Sequence, residues 1–179
     1  MRDLSQYDGL RSQIKTGDLI EFATTGFIGS MIQRKTKLKA SHSSIVFRMP
    51  YEGSQRRYII EAIRTGVEIN MLSDVLQHVE GTCTWYGLRP EYDHLRDRLG
   101  EFAIRELAQH KKYDFKSILA QWFGRVRLNA ERLYCTELCE LDYIDAGMID
   151  PDPAGARRPG ELPKTGIFCS QAHLWGEQN

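Results

Sequence analysis

In the first half of the chain, apolar residues fall in short continuous or alternating runs. In the second half they recur every three or four positions. The first pattern predicts strands and the second predicts amphipathic helices. Strands are expected at GDLIEF (17–22), SHSSIVFRM (41–49) and RYIIEAI (57–63), the last two as an antiparallel pair joined by the turn-rich PYEGSQ (50–55). TGVEINML (65–72) and TCTWYGLRP (82–90) read as further strands, the latter ending at Pro90. Short helices are expected at TGFIGSMIQRKTK (25–37) and at SDVLQHV (73–79), with Ser73 as N-cap.

EYDHLRDRLGEFAIRELAQH (91–110) carries Leu95, Leu99, Phe102 and Leu107 near the 3.6-residue period and is the clearest helix. YDFKSILAQWF (113–123) starts another, with Asp114 as N-cap. CTELCELDYIDAG (135–147) is a third, opened by Cys135 and stopped by Gly147. The proline-rich DPDPAGARRPGELPKTG (150–166) reads as loop. Strands followed by helices predict an α+β fold, an antiparallel sheet packed against helices. The 179 residues are expected to form a single domain.

Composition narrows the function. Lys+Arg and Asp+Glu both number 24, and this net neutrality argues against a nucleic-acid partner. The basic stretch 33–39 (QRKTKLK) reads as a solvated face. The N-terminus lacks the apolar core of a secretory signal, and no run approaches a membrane span. The chain is therefore expected in the cytosol, unless a signal was removed or release is phage-borne or signal-independent. Cys83, Cys135, Cys139 and Cys169 form no CxxC pair and read as free thiols.

Three residues draw chemical interest. Cys135 sits where a helix is expected to begin, and a helix N-terminus favours a thiolate and a developing oxyanion. The competing reading is a packed core thiol, the commoner fate of a free cysteine, and the one given to Cys139. His42, flanked by Ser41, Ser43 and Ser44, is the candidate general base; alone it could equally be structural. Glu61 interrupts an apolar run, where a buried carboxylate needs a partner, and a neighbouring strand would let it orient His42. The alternative is an edge strand with Glu61 facing water. His78, His94, His110 and His173 are less suggestive. A metal site from His42, Cys135 and Glu61 ranks low, because no two of them share a close-spaced ligand motif.

GDLIEF, SHSSIVF, IIEAI…GV, YD and YCTEL, in that order, resemble the circularly permuted branch of the NlpC-type papain-like superfamily. The match is to its YiiX/YebB/YaeF-like group, with lecithin:retinol acyltransferase a more distant relative. It spans about residues 15–170 and includes RRPGELP, similar to the family's Pro-containing segment after the Cys helix. The resemblance implies a permuted papain-like fold with Cys135 as nucleophile, His42 as base and Glu61 as third polar residue. Tyr134 and Ser41 are assigned to substrate binding, and Asp18 to a structural or lining role. The implied activity is a cofactor-free thiol hydrolase cleaving an amide, peptidoglycan-type or related, through an acyl-enzyme. The rivals are a lipid acyltransferase or esterase, with Trp85, Tyr86, Trp122 and Phe123 lining a channel rather than packing as core, and a non-catalytic binding module. The substrate is accordingly a peptide, glycopeptide or lipid amide.

Overall fold

Side-chain alternation along six strands decides which helix covers which face. The structure, a computed structural model, describes residues 2–24, 40–51, 54–63, 66–108, 130–153 and 155–176, with backbone alone for 51 and 130–134. Helix α1 (Ser5–Leu10) precedes β1 (Leu19–Thr24), β2 (His42–Tyr51), β3 (Ser54–Ile63) and β4 (Gly66–Met71). Helix α2 (Leu72–His78) leads to β5 (Gly81–Leu88), and a 3-10 turn (Pro90–Leu95) runs into α3 (Arg96–Ala108). Helix α4 (Ala130–Asp145), a second 3-10 turn (Leu162–Thr165) and β6 (Phe168–Trp175) complete the order.

The strands form one antiparallel sheet in the order β4-β3-β2-β1-β5-β6. This is the α+β architecture that the hydrophobic pattern predicts. Leu19, Ile45 and Ile60 face α3 and α4, packing with Leu99, Phe102, Leu138 and Tyr143. Ile20, Val46 and Ile59 face the opposite way, against Tyr7 of α1 and Leu72 and Leu76 of α2. Each such side chain, fully buried, contributes about 1.5–3 kcal/mol relative to exposure.

Asp18, just before β1, ties the two halves together. Its carboxylate accepts from the Lys15 and Leu88 N–H groups, the Trp85 indole and the Arg96 guanidinium, at 2.8–3.1 Å. Asp18 and Trp85 are therefore core. Helix α4 ends in a Schellman motif: Gly147, at φ 75°, donates to Ile144 O and Met148 N–H donates to Tyr143 O. The expected glycine stop is where the sequence puts it.

Two expectations need correction, and one strand is additional. Helix α2 begins at Leu72, so Ser73 lies inside it and no side chain caps that end. The described residues of 150–166 are loop, as expected, with one 3-10 turn, and β6 just beyond them is a strand that the pattern does not predict, paired with β5 at the sheet edge. Most consequentially, α4 is already helical at Ala130, five residues before Cys135. The helices expected at 25–37 and 113–123 lie outside the described residues, as do His110, Trp122, Phe123 and the basic stretch 33–39. Among the described residues, no helix is long and apolar enough to cross a membrane.

Candidate active site

The ladder between β2 and β3 runs in register from Tyr51↔Ser54 to Ile45↔Ile60. Both strands continue past that last pair, β2 to His42 and β3 to Ile63. Alternation points His42, Ser44 and Glu61 toward the α2 side and Ser43 toward α4. Cys135 arrives from α4, yet it accepts a hydrogen bond from the Ser43 backbone N–H and hydrogen-bonds the His42 ring. The end of the ladder is what lets a sulfur on one side of the sheet meet an imidazole on the other. Serines at 43 and 44 keep the space between them small-walled.

His42 Nε2 meets Glu61 Oε2, leaving the other ring nitrogen for Cys135. Glu61 is 8% exposed and sits on an internal strand, which removes the edge-strand alternative. Its other oxygen accepts from Asn70 Nδ2 at 3.1 Å, and Ser44 Oγ donates to Oε2 at 3.3 Å. Three side chains thus stand in series, Cys135–His42–Glu61, with the imidazole between sulfur and carboxylate.

Burial alone would lower the His42 pKa, but the charges and hydrogen bonds of Cys135 and Glu61 overcome it and raise it to about 10. Burial would raise the Cys135 thiol, yet His42, the Ser43 N–H and the Thr136 hydroxyl bring it below the ordinary value. Glu61 is lowered in the same way: desolvation opposes ionisation, and His42, Asn70 and Ser44 outweigh it. The arrangement favours a thiolate–imidazolium pair. By contrast, burial pushes Cys83 up, and burial with neighbouring negative charge pushes Cys139 well up. Both are core thiols.

The source of that thiolate stabilisation is not the one expected from sequence. With α4 helical from Ala130 on, Cys135 stands at least roughly 7.5 Å along the helix axis from its N-terminal end. Its N–H falls within the i→i−4 ladder instead of among the free N–H groups of a first turn. His42, the Ser43 N–H and Thr136 replace the helix dipole in that role.

Sequence reasoning missed a second buried carboxylate. Glu21, on β1, is 4% exposed; its Oε1 accepts the Gly160 N–H at 2.8 Å and the Ser43 hydroxyl at 3.4 Å. Ser43 Oγ lies 3.1 Å from Thr136 Oγ1, itself 3.9 Å from Cys135 Sγ. The signal was present: GDLIEF buries a Glu in an apolar run just as YIIEAI does. The RRPGELP segment is held over this network by Gly160, and by Arg157 N–H donating to Glu140 Oε2 at 2.8 Å.

Ser41 is fully buried. Its hydroxyl donates to Phe22 O at 3.0 Å and accepts the Thr24 N–H at 3.1 Å, work that closes the end of the β1–β2 pair. It does not line the cleft described below. Tyr134 belongs to α4 by its backbone, and its side chain lies outside the described residues. Tyr86 packs edge-on against Phe168. His173 pairs with Thr84 across the sheet edge, and His78 stands at the cleft rim.

A cleft of about 670 Å³ opens on the α2 side of the sheet. Phe22, Ile63, Met71, Val75 and Val79 supply its apolar walls, and His42 and Glu61 reach into it. Cys135 itself is fully buried behind His42.

The chain has an α+β fold compatible with the papain-like folds of the YiiX type. It is similar in structure to the metalloprotein yiiX of Escherichia coli O157:H7 (DUF1105), with a TM-score of 0.54 and 25% sequence identity over 75% of this chain and 67% of that one. A scan against family models finds no match, and neither does a search of curated proteins.

Proposed function

We propose that this protein is a thiol hydrolase that cleaves an amide through an acyl-enzyme on Cys135. The observation that carries the reading is the His42 ring held between the Cys135 sulfur and the Glu61 carboxylate. The Cys135 thiolate attacks the carbonyl carbon and forms a C–S bond. The His42 imidazolium gives its proton to the leaving nitrogen as the C–N bond breaks. Water then attacks the thioester, His42 takes the water's proton, and the acid leaves as the thiol re-forms. Glu61 holds the imidazole in place and favours its charged form throughout.

The similar yiiX is described as a metalloprotein. Among the described residues here, no three His, Cys, Asp or Glu side chains converge to hold an ion. Cys135, His42 and Glu61 stand in series, with the imidazole filling the middle, so they do not form a ligand set around one point. No step is routed through a metal.

The apolar walls of the cleft favour a second reading on the same machinery, a lipid amide or ester whose acyl chain occupies the cleft. Both readings are tested by incubating the protein with muropeptides and, separately, with N-acyl amide micelles. Intact-mass spectrometry follows acyl-enzyme formation. The muropeptide arm is expected to give product, with Cys135→Ala slower by roughly 10³-fold or more. Turnover only in the lipid arm selects the second reading, and equal turnover by Cys135→Ala ends both.

A further inference from the structure

We propose that Glu21 is a positioning residue for Cys135, its ionisation setting which way the Ser43 and Thr136 hydroxyls point and so how firmly the sulfur is held. The inference rests on the reading of Cys135 as a nucleophile and extends it to a group on the far side of the sulfur from His42.

Each hydroxyl has one hydrogen to give. Ionised Glu21 only accepts, so Ser43, 3.4 Å away, gives it its hydrogen. The Ser43 oxygen then accepts from Thr136 at 3.1 Å, and Thr136 has no hydrogen left for the sulfur at 3.9 Å. Neutral Glu21 is the weaker acceptor. The Ser43 hydrogen turns to Thr136, and the Thr136 hydrogen turns to Cys135. The chain of hydroxyls is complete in both states and differs only in direction.

Burial is the largest influence on Glu21 and raises its pKa to about 7, against the Gly160 N–H, the Ser43 hydroxyl and the Lys164 charge. Both states are then populated near neutrality. The other titratable groups facing it are Tyr86 on β5 and Cys139 on α4, both raised in part by its charge. Arg158, two residues before Gly160 on the covering loop, is engaged by Glu161.

Ionising Glu21 removes one donor from the thiolate, which makes the sulfur more basic and more nucleophilic. With a Brønsted coefficient of about 0.4–0.5, each unit of rise in the thiol pKa speeds alkylation about threefold.

The test is the rate of iodoacetamide alkylation at Cys135 from pH 4 to 9, read by peptide mass spectrometry, in wild type, Glu21→Gln and Ser43→Ala. The wild-type profile is expected to rise twice. The first rise comes at acid pH as the thiolate forms, and the second, about threefold, lies near pH 7. Glu21→Gln keeps the first rise and loses the second. Ser43→Ala leaves the carboxyl and its Gly160 contact in place but cuts the relay, and it should flatten the second rise if Glu21→Gln does not fold. A single acid rise in wild type, or a second rise persisting in Ser43→Ala, overturns the role of Glu21. A wild-type profile with no acid rise overturns the thiolate reading itself.

Discussion

The backbone N–H of Ser43 hydrogen-bonds to the sulfur of Cys135 just where the β2–β3 ladder has stopped. A side chain from α4 thereby satisfies a strand donor beyond the last registered pair. The N–H also favours the thiolate over the thiol, because a hydrogen bond to the charged form lowers its pKa. One contact serves both the packing of α4 on the sheet and the chemistry of the sulfur.

Removing the imidazole exposes what burial alone does to that sulfur. In His42→Ala, desolvation is no longer opposed by an adjacent cation, and the thiol should titrate at or above its ordinary value of about 8.5. Alkylation at pH 6 is expected to slow, because less than about 1% of the thiol is ionised at that pKa. In wild type the ion pair should persist until His42 gives up its proton near pH 10. Equal rates at pH 6 would remove His42 from any role in activating Cys135.

Glu61→Gln separates the charge of the orienting group from its shape. The amide still reaches the ring, but one of the influences that raise His42 is gone, so the imidazolium pKa should fall. NMR titration of the ring protons reads this directly. Amide turnover should drop by roughly 10²–10⁴, as for other third members of such triads. Asn70→Ala, which removes one donor to Glu61 but leaves its charge, should lower turnover by less and leave the imidazolium pKa raised.

Asp18 is a stability determinant with no part in the chemistry. Its carboxylate is buried and saturated by four donors, one of them the Arg96 guanidinium. Asp18→Ala takes one partner from Arg96, which keeps Asp93 and Thr16 O, and leaves three buried donors without their acceptor, at about 1–3 kcal/mol for each. Thermal melting should show the loss. The fraction still folded at low temperature should alkylate at the wild-type rate, and a changed rate would contradict this division of labour.

Asp142 makes the opposite kind of contribution. It is 1% exposed, and neither carboxylate oxygen has a hydrogen-bond partner among the described residues. Burial, with Asp145 nearby, raises its pKa to about 9. Between the unfolded value of about 3.9 and that folded value, the native state holds a proton that the unfolded chain has released. Stability from this group is therefore full at low pH and falls as pH rises through that window. Glu21, also raised, acts with the same sign. Asp142→Asn keeps the shape without the proton, so denaturant midpoints at pH 5 and pH 8 should lie closer together than in wild type. A variant with an unchanged gap would show that Asp142 is not the source.

The central strands were legible because both of their faces are buried, which leaves Leu19–Ile20, Ile45–Val46 and Ile59–Ile60 as unbroken apolar pairs. The edge was not. Strand β6 exposes Cys169, Ser170 and Gln171 in succession, so no alternation marks it as a strand although Leu174 is buried. Helix α1 buries only Tyr7 over six residues, too short for a period to register. At the site, His42, Glu61 and Cys135 were each visible as residue types out of keeping with their surroundings. That α4 is already under way before Cys135 was not visible, because the apolar period was read only from Cys135 onward. Glu21 was passed over although it carries the same mark as Glu61. A carboxylate inside a strand names a need for donors without saying which strand, loop or helix supplies them.

The hydroxyls of Ser43 and Thr136 meet across 93 positions of sequence. During synthesis, His42 and Glu61 leave the ribosome before Cys135 exists, and the sulfur gains its partners only when α4 settles against β2 and β3. In the unfolded chain it is an ordinary thiol. Its alkylation in mild acid is then a clock for the last step of assembly: the label accumulates only on molecules in which the two halves of the chain have found each other.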